Sequence, residues 1–175
     1  MGGIGLKLDV SRALKNPGQV YPFQAEMALP EMEVLSDPVR FDGIRIEGEF
    51  LCAGDQRISL KARAAATAVS RCSRCLEPVS VPVEAEVDAL FARQPDPDDP
   101  DLYSFEASTL ELEDAVRDAL LLELPLQFFC SPDCKGLCPV CGVNLNKVAC
   151  TCQEGGEVIT PFSALKSIVL NNEEV

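Results

Sequence analysis

The chain has nine cysteines and no histidine, and these two counts bound its chemistry. Without histidine, Ser-His-Asp and Cys-His catalysis are excluded, as is every His-liganded metal site. Eight of the cysteines fall into two groups. The first is Cys72-Ser-Arg-Cys75; the second is Cys130-x3-Cys134-x3-Cys138-Pro-Val-Cys141-Gly, followed by Cys150-Thr-Cys152. A C-x2-C pair in a tight turn can set both sulfurs on one metal, about 2.3 Å from zinc, with the N–H groups of the turn aimed at the thiolates. Gly142 follows Cys141, where such a turn calls for a positive φ. Leu76, after Cys75, offers no such relief.

Eight thiolates make two closed four-cysteine sites, and closed sites are structural rather than catalytic. Spacing leaves their division open. One division joins Cys72 and Cys75 to Cys138 and Cys141 as in a zinc ribbon, leaving Cys130, Cys134, Cys150 and Cys152. Another completes a site among the six C-terminal cysteines and leaves Cys72 and Cys75 to a separate role. Either way the expected cofactor is Zn²⁺, in one or two all-cysteine sites. A structural zinc is worth ~10–16 kcal/mol in peptides of this kind, so metal loss should unfold at least the C-terminal third. An iron–sulfur cluster accepts the same ligands. Thiol redox chemistry at Cys72 and Cys75, with Arg71 and Arg74 lowering a thiol pKa, is discounted. The redox pair ordinarily opens a helix, and strand-like sequence follows from residue 78. Cys52 reads as a small buried hydrophobe.

The elements that must position these residues are mostly strands. Ile4, Leu6, Leu8 and Val10 alternate with polar or small residues, and so do Ile44, Ile46, Gly48 and Phe50. Over residues 57–67, Ile58, Leu60, Ala62, Ala64 and Ala66 would face inward, with Arg57, Ser59, Lys61, Arg63 and Thr67 outward. Val79, Val81, Val83, Ala85, Val87 and Ala89 form another apolar face, and Pro82 marks that strand as an edge or bulged one. After the acidic, proline-broken 95–101 stretch, Ser108 and Glu111 stand at capping-box spacing ahead of an apolar stripe of Leu112, Ala115, Val116, Ala119 and Leu120. Pro125 marks the end of that helix. Thr160 and Pro161 can open a short terminal helix carrying Phe162, Leu165 and Val169. The expected fold is α+β: an antiparallel β-sheet or partial barrel, one amphipathic helix and a Cys-rich zinc-binding C-terminal segment. By region this gives a β-rich part over 1–94, an acidic linker over 95–107, and the helix with the cysteine-rich part over 108–175.

The net charge of −13 is uneven. Residues 1–76 hold ten basic and nine acidic residues, 77–123 two and fourteen, and 124–175 three and five. Such an acidic protein repels phosphate backbones. The exception is 56–76, which has five basic residues and no acidic one. Arg57, Lys61, Arg63, Arg71 and Arg74 are therefore the candidate partner-binding residues, against the plainer reading of a solvated sheet face. The acid pairs Asp98-Asp99 and Glu111-Glu113 read as solvated acid, with no glycine-rich phosphate loop beside them. No apolar run approaches a membrane span and the first ten residues lack a signal-peptide layout, so the expectation is a soluble cytoplasmic protein.

The segments R-C-S-R-C-L-E-P-V (71–79), L-L-L-E-L-P (120–125) and C-S-P-D-C-K-G-L-C-P-V-C-G-V-N-L-N (130–146) resemble the YceD family, called large ribosomal RNA subunit accumulation protein. The C-T-C ending at Cys152 and P-F-S-A-L-K (161–166) resemble it too. The resemblance implies a bacterial or organellar protein needed for normal accumulation of large-subunit ribosomal RNA. Its expected role is that of a non-enzymatic assembly factor with structural zinc. The implied partner is the large-subunit precursor, through a basic ribosomal protein or ribosomal RNA, with no small-molecule substrate. The alternative from the same motifs is a zinc-dependent protein-interaction module, because a zinc knuckle does not name its ligand.

Overall fold

The computed structural model describes residues 6–94 and 102–152. The chain divides into two compact units, Met1–Cys134 and Lys135–Val175. The expected terminal helix around Thr160 lies outside the described residues, as do Ile4, the 95–101 stretch and the Asp98-Asp99 pair.

The first unit contains β1 (Lys7–Asp9), α1 (Ser11–Lys15), β2 (Tyr21–Met27), β3 (Met32–Val34), β4 (Asp37–Cys52), β5 (Ile58–Arg71), β6 (Pro78–Ala92), β7 (Leu102–Ser104), β8 (Thr109–Glu111) and α2 (Glu113–Leu122). An open sheet runs in the order β2-β4-β5-β6-β7, with β3 pairing β4, and β1 pairs β8 separately. All pairs are antiparallel except β6–β7. The period-two alternation works as expected. Ile44, Ile46, Ile58, Leu60, Ala64, Val83, Val87 and Phe91 are buried in one core. α2 adds Ala115, Val116 and Leu120 to it, with Leu112 just ahead of the helix.

Two backbone features shape the long strands. One extra residue in β4 between Asp42 and Arg45 makes a bulge, and Gly43 there has φ +63°, which a side chain would resist. Gly48 lies so close to β5 that a Cβ would collide with the Lys61 carbonyl and with Ala62. On its other side Gly48 pairs with Phe23, whose ring centroid lies 6.0 Å from that of Phe50.

Several local expectations are corrected. Ser108 and Glu111 do not cap α2, whose start has no side-chain cap. The Ser108 carbonyl accepts the Val10 N–H at 2.8 Å, and Glu111 pairs with Lys7 across β1–β8 at 2.9 Å. Strand pairing claims those residues and the helix begins after them. Val10 leads into α1, because the Asp9 carboxylate accepts the Ser11 N–H at 2.9 Å and turns the chain. Residues 102–107, grouped above with the linker, carry β7 and the buried Phe105. Pro82 does mark an edge: before Leu90, β6 pairs only with β5 among the described residues.

In the second unit, residues 135–152 contain neither helix nor strand beyond one isolated bridge, Leu137 to Asn144. Only Gly136 and Cys138 are buried there. The segment has no apolar core of its own.

Candidate metal centres

Cys72 and Cys75 occupy the connection between β5 and β6. The Cys72 N–H donates to the Glu77 carbonyl at 2.8 Å and the Leu76 N–H to the Cys72 carbonyl at 2.9 Å. Leu76 accordingly takes φ +60°. The same scheme recurs in the second unit. There the Cys138 N–H donates to the Val143 carbonyl at 2.8 Å and the Gly142 N–H to the Cys138 carbonyl at 2.8 Å, with Gly142 at φ +73°. The two knuckles are built alike, with leucine where the other has glycine. The left-handed conformation costs an L-residue about 1–2 kcal/mol, and Leu76 is 56% exposed, so its side chain returns little packing. Leu76→Gly is therefore expected to raise stability by about 1 kcal/mol, read as a higher urea midpoint at unchanged m-value.

The segment after α2 meets the first knuckle. Phe128, buried, anchors it: the Ser73 N–H donates to the Phe128 carbonyl at 2.8 Å, and the Phe128 N–H to the Ser73 hydroxyl at 3.3 Å. Cys130 and Cys134 are then carried to the knuckle. Cys134 Sγ lies 3.8 Å from Cys72 Sγ, and Cys130 Sγ 3.6 Å from Cys75 Sγ. In the second unit, Cys150 Sγ lies 3.4 Å from Cys138 Sγ and 3.5 Å from Cys141 Sγ. The sulfurs of Cys72, Cys75, Cys130 and Cys134 all lie within 4.8 Å of one another, as do those of Cys138, Cys141, Cys150 and Cys152. Four sulfurs at about 2.3 Å from one ion in a tetrahedron stand about 3.8 Å apart. The four separations just given lie near that edge, and none of these cysteines is in a disulfide. Both donor sets fit one tetrahedral soft-metal ion.

The first division read from spacing is not the one the structure makes: Cys72 and Cys75 gather with Cys130 and Cys134, not with Cys138 and Cys141. The second is met in its complete group among the C-terminal cysteines, but Cys72 and Cys75 stand with Cys130 and Cys134 rather than apart. The physical reason is local closure. Residues 138–152 supply four sulfurs by themselves, while Cys130 and Cys134 are brought back to the hairpin end by the exit of α2.

The thiols are strongly differentiated. Burial pushes Cys72 up, but N–H groups of Cys130, Cys75 and Arg74 aimed at its sulfur prevail and bring it down to about 6. The Glu77 N–H favours the Cys75 thiolate, but burial and the Cys72 and Cys134 sulfurs leave it above the ordinary thiol. Sharing with Cys134 and Cys75 pushes Cys130 up to about 12. In the other group, the N–H groups of Cys141 and Val140 bring Cys138 down to about 6, and Cys150 and Cys141 push Cys152 up to about 12. For Cys150, the N–H and thiol of Cys152 favour the thiolate, but the Cys138 and Cys141 sulfurs outweigh them and leave it raised. Four thiols this close cannot all ionise without a cation. A metal must therefore displace the protons of Cys75 and Cys130, and likewise of Cys150 and Cys152. At least two protons per ion are expected to leave at pH 7, measurable by titration calorimetry in buffers of different ionisation enthalpy. Affinity should fall as pH falls, more steeply once Cys72 and Cys138 protonate near pH 6.

The basic candidates are placed differently from one another. Lys61 and Arg63 lie on the exposed sheet face as expected, but Glu49 and Glu47 stand opposite them on β4, and Asp88 and Glu86 on β6. Lys61 reaches Asp88 at 3.5 Å and Arg63 reaches Glu86 at 3.9 Å. Two cations thus sit among four carboxylates. Arg57, in the turn before β5, and Arg71, at its end, are exposed. Arg74 stands beside the first cysteine group. Its Nη1 donates to the Pro132 and Cys134 carbonyls at 3.1 and 3.0 Å, and its guanidinium lies 4.6 Å from the Phe129 ring centroid. It fastens the arm that carries Cys130 and Cys134, a role that sequence reasoning missed. The R-C-S-R-C spacing was its only signal. Arg74→Ala is expected to weaken metal at the first centre by about 10–100-fold, with the second unchanged, in a competitive chelator titration. Asn144 and Asn146 were also missed. The Asn146 carboxamide oxygen accepts the Lys135 N–H at 2.8 Å, and that of Asn144 accepts the Asn146 N–H at 3.0 Å.

A protein-family model described as "Large ribosomal RNA subunit accumulation protein YceD" matches residues 60–169, a span that holds both cysteine groups. An uncharacterized protein of Mycobacterium tuberculosis is 30% identical over 80% of this chain and 70% of its own length. The uncharacterized protein YlbN of Bacillus subtilis is 29% identical over 77% and 80%. The maize "Large ribosomal RNA subunit accumulation protein YCED homolog 1, chloroplastic" is 30% identical over 47% of this chain and 39% of its own length. No solved structure matches significantly. With the model covering more than half of the sequence and both four-sulfur groups inside it, the chain belongs to the YceD family.

Proposed function

We propose that the protein is a non-enzymatic factor supporting the accumulation of large-subunit ribosomal RNA and assembly of that subunit, its fold organised by two zinc ions. The observation that carries this reading is the family match over 60–169, together with the role named for the maize relative. The donor sets support the non-enzymatic part: four cysteines on each ion leave no position for a substrate or water. Tetrahedral all-sulfur sites suit zinc or iron. Zinc is the reading favoured by the knuckle geometry, and Cys72, Cys75, Cys130 and Cys134 would hold one ion, Cys138, Cys141, Cys150 and Cys152 the other.

The partner is the large-subunit precursor, met through a basic ribosomal protein in preference to bare RNA. The charge pattern of the sheet face supports that preference, because carboxylates outnumber the cations that would otherwise meet phosphate. Arg57 and Arg71 remain the basic residues best placed for a contact. The test is a sucrose-gradient profile of depleted cells, with the tagged protein followed across a wild-type gradient. A deficit of large subunits with the protein in pre-large-subunit fractions is expected. A normal profile with the protein only at the top of the gradient overturns the ribosomal role. Elemental analysis of the purified protein is expected to give two zinc ions per chain.

A further inference from the structure

The longest unpaired strand edge among the described residues belongs to β6. Pro82 stands opposite Thr67 in a register that runs unbroken from Ile58–Phe91 to Arg71–Pro78. Proline has no N–H to give a ladder, so Pro82 occupies a position whose amide side faces away from β5. By two-residue alternation, Glu84, Glu86 and Asp88 turn their backbone N–H and C=O groups to the same outer edge. The far limit is β7, which takes up the edge from Leu90. Residues 83–89 are thus bounded by a proline at one end and an occupied edge at the other.

The side chains along that edge select what can pair with it. Val83, Ala85, Val87 and Ala89 point into the core, while Glu84, Glu86 and Asp88 are exposed on the other face. β5 already shows which strand suits this row. It sets Arg63 opposite Glu86 and Lys61 opposite Asp88, two residues apart. Those cations also stand opposite Glu47 and Glu49 of β4, and Glu84 stands opposite Ala65, so the β6 carboxylates outnumber the cations that face them. The opposite edge strand, β2, carries Pro22, Gln24 and Glu26 on its exposed face, and its single carboxylate meets Arg45 at 3.5 Å. It lacks the row.

We infer that residues 83–89 of β6 are a docking edge for an extended polypeptide segment carrying Lys or Arg at every second position, which adds to the sheet as a further strand. Main-chain hydrogen bonds to Glu84, Glu86 and Asp88 would give the affinity, and cross-strand pairing with their carboxylates the choice of partner. The inference stands on the sheet alone and does not depend on the ribosomal reading.

The test uses the full-length, metal-loaded protein and three fluorescein-labelled nine-residue peptides in anisotropy titrations. The first alternates Lys with Thr or Val, the second has the same composition with its lysines contiguous, and the third is the first with N-methyl groups on alternate backbone amides. The first peptide should bind at least tenfold tighter than either of the others. Glu84→Gln, Glu86→Gln and Asp88→Gln combined, all on the exposed face, should weaken it at least tenfold with an unchanged circular dichroism spectrum. Failure of the first peptide to bind overturns the inference. So does equal binding of the three peptides, which would reduce the edge to diffuse electrostatic attraction. If the triple variant fails to fold, 0.5 M salt with the wild type provides the same reading: retention of full affinity there rules out the carboxylate row as the selector.

Discussion

Serine at both Cys138 and Cys141 is expected to abolish one of the two metal ions and to unfold residues 135–152 outright, while the sheet stays intact. The magnitude follows from what else could hold that segment. Among its described residues only Gly136 and Cys138 are fully buried, with Leu137, Val143 and Leu145 partly so, so little apolar burial stands beside the ion, whose contribution in comparable peptides is ~10–16 kcal/mol. In amide-resolved NMR spectra the resonances of residues 135–152 should collapse toward random-coil shifts, and those of β4, β5 and β6 should keep their dispersion. Elemental analysis should fall from two ions to one. Retention of both ions would exclude the second centre as drawn.

Serine at both Cys72 and Cys134 should behave differently. The first centre ties the β5–β6 hairpin end to a segment 55 to 62 residues further along. The sheet beneath has its own core. Loss of the ion therefore removes a staple rather than the structure. Closing a loop of that length is worth about 4 kcal/mol by chain entropy, taking the ion as a cross-link. A drop of that order is expected in chemical denaturation, together with loss of one ion and greater hydrogen exchange at Phe128, Cys130 and Cys134. Exchange in β5 should change little. A melting curve and metal content equal to wild type would remove the first centre from the account.

The contrast between these two variants also explains how far the sequence could be read. Membership of the eight cysteines was legible because C-x2-C spacing is a local property of a turn, and Gly142 marked one knuckle. The partition was not, because the meeting of Cys75 with Cys130 is a tertiary contact. Local patterns mark the Cys72–Cys75 turn and, at Pro125, the end of the helix, but not that the two places come together. The strands were legible from alternation at Ile58, Leu60, Ala64 and Val83, Ala85, Val87. Their register was not, and register decides that Lys61 and Arg63 face Asp88 and Glu86. A stripe of cations in one strand thus becomes a mixed face once its neighbours are known. Arg74 shows the same limit from another side. Its charge suggested a partner, and the fold spends its donors on the Pro132 and Cys134 carbonyls. The α2 stripe was visible, but its first turn was misplaced, because β8 competes for Thr109, Leu110 and Glu111 and wins by pairing with β1.

The separation between the halves of the first centre also has a meaning in time. During synthesis, Cys72 and Cys75 emerge with only each other for company, and 55 further residues must be added before Cys130 follows Cys75. At about 5–20 residues per second this is an interval of roughly 3–11 s. Through it the hairpin can close and β6 can join the sheet, but its knuckle offers a metal only half a coordination shell. The second centre has no such wait, because its four ligands arrive within one short stretch. Each newborn chain therefore passes through a stage in which the Cys72 and Cys75 thiols are present without Cys130 and Cys134, and Cys72 also lacks the Cys130 N–H that later favours its thiolate. The two four-sulfur groups are thus completed over very different lengths of chain, one across residues 72–134 and the other within residues 138–152.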